Sequence, residues 1–272
     1  MLKFSVLMSV YYKESASNLR QCLDSLLCQT KKSNEIVIVK DGPLTEELEV
    51  VLNEYLEKDR SLYKIVSLEQ NMGLGLAHKE GILHCSNEII ARMDTDDIAR
   101  EDRFEKQLAE FEKDPSLDIC GSHIIEFEEN IENEVARRKV PIEDFEIKKY
   151  QRRRDAFNHM TVMYKKSAVI KAGNYQSCLL MEDTLLWVNM FMSGARSKNI
   201  DDFLVYARVG KEMFARRGGW DYFKKYKEGR KRVRETGFIG FWDYHWTLFV
   251  QFVIALMPNK LRGWVFKKIL HR

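Results

Sequence analysis

The 272-residue chain has no run of about 18 or more consecutive apolar residues, so a helix that crosses a bilayer is not expected. It is poor in cysteine. Five residues, Cys22, Cys28, Cys85, Cys120 and Cys178, are odd in number and form no Cys-x-x-Cys pair. That excludes a disulfide framework and, with histidines equally scattered, a zinc site of the usual spacing. The cysteines sit among apolar neighbours, which predicts reduced core thiols of a cytoplasmic protein. A leader is not expected either, because the first residues, MLKFSVLMSVYYKE, turn polar too soon. The formal charge of +3 is too small to demand a polyanionic partner, and no nucleic-acid-binding module accompanies it. What is present is 45% hydrophobic and 31% charged residues, the balance of a globular protein with one large core.

Apolar residues alternate between two periods. Phe4 to Val10, residues 35–39, 64–68 and 89–93 are compact, β-branched runs that read as buried strands. Between them Leu19, Cys22, Leu23, Leu26 and Leu27, then Leu48, Val51, Leu52, Tyr55 and Leu56, recur at helical steps, and residues 74–85 form a third helix. Alternating strands and helices predict an α/β fold with a Rossmann-like, mostly parallel central sheet flanked by helices. In such sheets ligands bind beyond the carboxyl ends of the strands. Asp41, Asn71 and the cluster Asp94-Thr95-Asp96-Asp97 follow successive strands, so the fold gathers them on one rim. Residues 99–154 are charged and less regular, and residues 159–165 return to strand character. Residues 184–193 read as a helix behind Glu182-Asp183, and residues 205–209 as a last strand.

Carboxylates packed this closely are unfavourable unless a cation or hydrogen bonds compensate. Their oxygens suit Mg²⁺ or Mn²⁺, which bridge to substrate phosphates. An Asp-rich turn also caps helices, and Glu182-Asp183 also reads as two acids at the positive end of a helix dipole.

The ordered set FSVLMSVYYKE, EIVIVKDGP, NMGLGLAHKEGI, IARMDTDD and MEDTLLW resembles the family 2 glycosyltransferases of GT-A fold, over about residues 3 to 210. Within them it is similar to bacterial enzymes that build capsule, exopolysaccharide or lipopolysaccharide. The resemblance implies an inverting hexosyltransferase that uses a UDP- or dTDP-sugar and Mn²⁺ or Mg²⁺. Its acceptor would be a glycan or lipid-linked oligosaccharide. It places Ser9, Val10, Tyr11, Tyr12 and Glu14 at the base and ribose, although the family's proline and asparagine are absent there. Asp41 would accept the N3–H of the base. Asn71, Gly73 and Lys79 fall on the family's Asn-x-Gly segment, and Lys79 stands where asparagine is frequent. Asp94 and Asp96 match the DxD motif, Asp94 towards the sugar or ribose and Asp96 on the metal. Asp183 takes the place of the catalytic base, with Glu182 supporting it. His159 and the pair Arg216-Arg217 are possible diphosphate or acceptor contacts, His159 being as readily a packing residue.

The implied organisation is a transferase domain over residues 1–210, its nucleotide-binding half ending near 98 and its acceptor half spanning 99–210. A basic, amphipathic helical extension follows over 211–272. Ten Lys or Arg against three acids fall between Lys211 and Arg234, then an aromatic stretch from Phe238 to Met257. The expectation is peripheral contact of residues 238–272 with the inner face of the cell membrane. Packing on the domain, or a homodimer, is the competing outcome. Two other functions remain open. A nucleotidyltransferase shares the layout, but its glycine-rich loop after strand 1 is missing. The other is a non-catalytic membrane-surface scaffold.

Overall fold

The computed structural model describes residues 2–210 and 218–258. The first half follows the sequence pattern closely. Strand β1 (Phe4–Val10) leads to α1 (Ala16–Leu27), β2 (Glu35–Lys40) to α2 (Glu46–Lys58), and β3 (Tyr63–Ser67) to α3 (Leu74–His84), before β4 (Ile89–Arg92). Helix α2 is defined at both ends. The Thr45 hydroxyl accepts the Leu48 N–H, Glu46, Glu47 and Glu49 occupy the first turn, and Lys58 the last, each matching the helix dipole.

The region 99–154, expected to be irregular, is not. It holds β5 (Ile98–Ala99), α4 (Arg103–Lys113), β6 (Ile119–Phe127), β7 (Glu134–Arg138) and α5 (Asp144–Gln151). Strand β6 was hidden because Ser122 and His123 interrupt its apolar run, yet both are buried. Their polar atoms are satisfied inside: the Ser122 hydroxyl donates to a backbone carbonyl and His123 Nε2 lies 3.0 Å from Asp201 Oδ1. The strand expected over 159–165 begins as a short 3₁₀ turn at His159–Thr161 and becomes β8 (Met163–Lys165) only afterwards. Then come α6 (Lys166–Lys171), α7 (Glu182–Met192) and β9 (Ser197–Arg208), the last much longer than its apolar signal.

Among the described residues the strands form one sheet in the order β3-β2-β1-β4-β8-β6-β9-β5, with β7 on β6. Strands β3, β2, β1 and β4 are parallel. Strand β8 runs antiparallel to both β4 and β6, while β6 and β9 run parallel to each other. One apolar layer joins this sheet to α1, α2 and α4, and a second joins it to α3, α5, α6 and α7 around Trp187. Helices therefore cover both faces.

Helices α8 (Trp220–Glu235) and α9 (Phe241–Leu256) form a pair that packs on α7, with Val233, Ile239 and Tyr244 against Met181, Leu185 and Val188. No helix among the described residues is long and apolar enough to cross a membrane. Four of the five cysteines are buried, as expected; Cys28 is exposed.

Candidate active site

The rim above the parallel strands is built by backbone bonding. Val10, the last residue of β1, is buried, and its carbonyl accepts the Asp41 N–H. Tyr11 and Tyr12 beyond it are half exposed and lie edge to face. The Asp41 carboxylate holds the next loop: Oδ1 accepts the Met72 N–H at 2.6 Å and Oδ2 the Gly73 N–H at 3.0 Å. The Asn71 amide donates to the Asp41 carbonyl. A carboxylate has about four lone-pair positions, so Asp41 keeps acceptor capacity beyond these two bonds. Gly42 is required by two facts: its φ is +85°, and a Cβ there would meet the Asn71 nitrogen at 2.6 Å. Lys79 lies exposed on α3.

Between β4 and β5 the chain carries Asp94, Asp96 and Asp97, whose ligand oxygens lie within 4.8 Å of one another. Fully buried Arg92 forms an ion pair with Asp94 Oδ2 at 2.5 Å. The Cys22 thiol donates to the Asp94 carbonyl, and the Thr95 hydroxyl donates to Glu14. Glu14 is thereby turned towards this loop, a fourth carboxylate beside it. Arg208, at the end of β9, fixes the other side. Its N–H donates to Asp97 Oδ1 at 2.8 Å and its Nε to the Asp96 carbonyl at 3.0 Å. Burial, then the charges of Asp94 and Glu14, push Asp96 up to about 7. Burial and the charges of Asp96 and Asp94 push Asp97 up as well. A cluster in this state is under-compensated, and a divalent cation would relieve it. The donor set is all oxygen, and Asp94 and Asp96 are partly open, so the residues fit Mg²⁺ or Mn²⁺.

A second acidic group sits at the start of α7. Thr184 ties it together: its N–H donates to Asp183 Oδ1 at 2.8 Å and its hydroxyl to Asp155 Oδ1 at 2.5 Å. The Gln151 amide donates to the same Asp155 oxygen. Burial, then the charges of Asp155 and Glu182, push Asp183 up to about 7. Burial also raises Glu182. A helix N-terminus would lower both, so burial and like charge win. A carboxylate poised near neutrality can take a proton from an alcohol at physiological pH.

The two groups share neighbours. The Tyr175 phenol senses both Asp183 and Asp94, and Arg92 pulls down both Asp96 and Asp183. Gly75, in the first turn of α3, lies so close to Glu182 that a Cβ would meet its Cβ at 2.9 Å. Asp41, Asn71 and the 94–97 cluster thus lie at the ends of neighbouring strands, as the strand pattern implied, and Glu182 comes against the first turn of α3. His159 is turned inward, with Nε2 2.8 Å from the Tyr175 hydroxyl and its ring between those of His78 and Trp187. Burial and the nearby Arg92 charge drive it well below the usual histidine range, so it is neutral and packed. Arg216 and Arg217 lie outside the described residues.

Arg92, Asp155, Tyr175, Thr184 and Arg208 were not singled out in the sequence. Arg92 had a signal, an arginine inside the apolar run IIARM, since a charge there must be buried with a partner. Asp155 had none, standing at the end of the charge run QRRRD.

Residues 5–174 match the family model for glycosyl transferase family 2. An uncharacterized glycosyltransferase of Haemophilus influenzae is 43% identical over 271 residues, all of both chains. The amylovoran biosynthesis glycosyltransferase AmsE of Erwinia amylovora is 38% identical over 97% of this chain and 98% of its own. An Escherichia coli UDP-Gal:alpha-D-GlcNAc-diphosphoundecaprenol beta-1,3-galactosyltransferase is 34% identical over 99% and 97%. Among solved structures, Staphylococcus aureus TarS residues 1–349 with UDP-GlcNAc superposes with a TM-score of 0.63 at 17% identity, over 99% of this chain and 72% of that one. The mannosyltransferase PcManGT from Pyrobaculum calidifontis, with GDP-Man and Mn²⁺, gives 0.64 at 15% identity, over 96% and 71%. At those identities the likeness is one of fold, the GT-A fold.

Proposed function

The chain belongs to glycosyl transferase family 2 and is a glycosyltransferase. From that premise we propose that it moves a hexose from a UDP- or dTDP-sugar to a hydroxyl of a lipid-linked oligosaccharide or glycan, with inversion and a divalent metal, in bacterial surface polysaccharide synthesis. The observation that supports this reading is a pair of carboxylate groups, one with ligand oxygens converging within 4.8 Å and one at the start of α7, that share Arg92 and Tyr175 as charged and polar neighbours. The relatives supply the class of pathway: AmsE is named for amylovoran, and the Escherichia coli enzyme for a diphosphoundecaprenol acceptor.

Asp94 and Asp96 would hold the Mn²⁺ or Mg²⁺, which supplies charge for the departing diphosphate when bound. Arg92 keeps Asp94 aimed by its ion pair, and Arg208 fixes the loop backbone from below. Asp41 holds the 71–73 turn and presents its remaining lone pairs to the base. Tyr11 and Glu14 would flank the same site, with Asn71 beside Asp41 and Lys79 reaching from α3. Asp183 accepts the acceptor hydroxyl's proton while that oxygen forms a bond to the anomeric carbon. The bond from that carbon to the diphosphate oxygen breaks on the opposite side, and configuration inverts. Glu182 stands beside the base towards the acceptor.

The test uses UDP-galactose, UDP-glucose and UDP-GlcNAc with Mn²⁺ and an N-acetylglucosaminyl diphospho-alkyl acceptor. A β-linked product from an α-linked donor is expected, and NMR of the anomeric proton reads it. An α-linked product would remove the inverting mechanism. Thermal stability unmoved by UDP with or without Mn²⁺ would remove the donor assignment.

The lipid end of the acceptor points to the α8–α9 pair. Tyr244, Thr247, Gln251 and Ile254 of α9 are buried, while Trp242, Trp246, Phe249, Phe252 and Leu256 are exposed, Trp242 at 79%. Lys224, Lys225, Lys227, Lys231 and Arg234 of α8 are exposed beside them. Aromatic residues with a basic flank fit an anionic bilayer surface. Flotation with phosphatidylglycerol vesicles at moderate salt is expected to carry the full chain and to lose W242D/W246D/F249D. Equal recovery of both in the soluble fraction, or burial of this face in a dimer seen by light scattering, overturns the membrane contact.

A further inference from the structure

The base proposed above stands at a helix N-terminus, where the dipole alone would make a carboxylate more acidic and a poorer proton acceptor. Something in the fold must offset that. Of the acids near Asp183, Glu182 is its chain neighbour and comes with the helix. Asp155 does not. It is delivered from the loop after α5, and two donors hold it there: the Thr184 hydroxyl at 2.5 Å and the Gln151 amide at 3.1 Å, both on Oδ1. Because the Thr184 N–H simultaneously holds Asp183 Oδ1, one residue grips both carboxylates. Hydroxyl and amide of a single threonine are separated by only three bonds, so the two acids are held side by side. Thr184 is itself buried.

We infer that Asp155 is a positioning residue for the transfer reaction: clamped beside Asp183 by Thr184 and Gln151, its negative charge makes Asp183 a stronger proton acceptor. This rests on the reading of Asp183 as base. Two carboxylates so placed do not both ionise freely, and the first proton to bind is shared between them. The surroundings direct that proton to Asp183. Asp155 Oδ1 accepts two hydrogen bonds, from Thr184 and Gln151, and the carboxylate faces Arg230 and Tyr226 of α8. Asp183 has one hydrogen bond from Thr184, and burial is the first cause of its raised proton affinity. Other groups facing Asp183 are Glu182 on its own helix, the Arg92 guanidinium from β4, and the Tyr175 phenol and Cys178 thiol from the segment before α7. Arg92 acts in the opposite sense to Asp155, and Tyr175 and Cys178 are neutral near pH 7 because burial pushes both up.

The test follows the titration of Asp183 directly, in the full chain without metal, by carboxyl-¹³C NMR of aspartate-labelled protein. The resonance is assigned by its disappearance in D183N. In D155N, where the amide oxygen can still accept from Thr184 and Gln151, the Asp183 midpoint is expected to fall by at least about one pH unit, a tenfold change in proton affinity. T184V is the second variant. It removes the hydroxyl that holds Asp155 Oδ1 beside Asp183, and the Asp183 midpoint is again expected to fall. A merely structural Asp155 would change melting temperature without moving the midpoint. An unmoved midpoint in either folded variant overturns the inference. The identity of the base is read separately: D183N that retains turnover would end that reading while leaving the titration result standing.

Discussion

The two acidic groups of the site are built mainly from aspartates and differ in how the fold holds them. Asp94, Asp96 and Asp97 lie on a connection between two strands, with ligand oxygens converging within 4.8 Å and two of the three partly open. Asp183 and Asp155 are held by a threonine, with their oxygens tied to separate donors on one residue. Asp96 and Asp183 are both pushed to about 7, and burial leads in each case. The next cause differs. For Asp96 it is the adjacent Asp94 charge, which a shared cation would cancel. For Asp183 it is Asp155, with which it shares no open chelating face. On the proposed reading, the chain would make a metal-type site and a base from one side chain by changing what surrounds it.

That contrast can be broken at three points. The largest effect belongs to D183N. Transfer is expected to fall at least about a hundredfold, the lower range for loss of a general base, with UDP binding near normal. Calorimetry showing that nucleotide binding collapses with turnover would place Asp183 on the donor side and dissolve the contrast. D96A comes next. Metal-dependent nucleotide binding is expected to weaken at least about tenfold, near 1.4 kcal/mol, with little change in binding measured without metal. A titration indifferent to this substitution would take the cation from the first group. The third is a pH dependence. A base works deprotonated, and Asp183 sits at about 7. With Mn²⁺ saturating, so that the 94–97 loop stays charged, kcat/KM should fall with pH below about 7, approaching tenfold per unit. A flat profile down to pH 5 would mean that Asp183 is not the titrating base.

The parallel half of the fold was readable because its strands are uninterrupted apolar runs and its helices carry clean stripes. The β1 to β4 elements and the rim they make came directly from period. Strand β6 did not, because its middle carries Ser122 and His123, whose burial depends on partners as distant as Asp201. No local pattern records such a partner. Half of β9 was missed for a related reason, since its first residues, SKNIDD, are mostly polar and pair with β6, a strand distant in sequence. In the candidate site, Asp94 and Asp96 stood out by type and place, and Asp183 through the family resemblance. The groups that tune them were not. Arg92, Asp155 and Arg208 act through contacts that exist only once the sheet has closed.

The helix pair at the end of the described chain also has a seam, where Gly229 of α8 rests on Met181, the residue before α7. A Cβ at 229 would meet the Met181 sulfur at 2.8 Å. Met181 precedes Asp183 by two residues, so α8 reaches the start of α7 at a point with no room for a methyl group. A side chain at position 229 would press on the residue that leads into the first turn of α7, so changes in the helix pair would be felt beside Asp183.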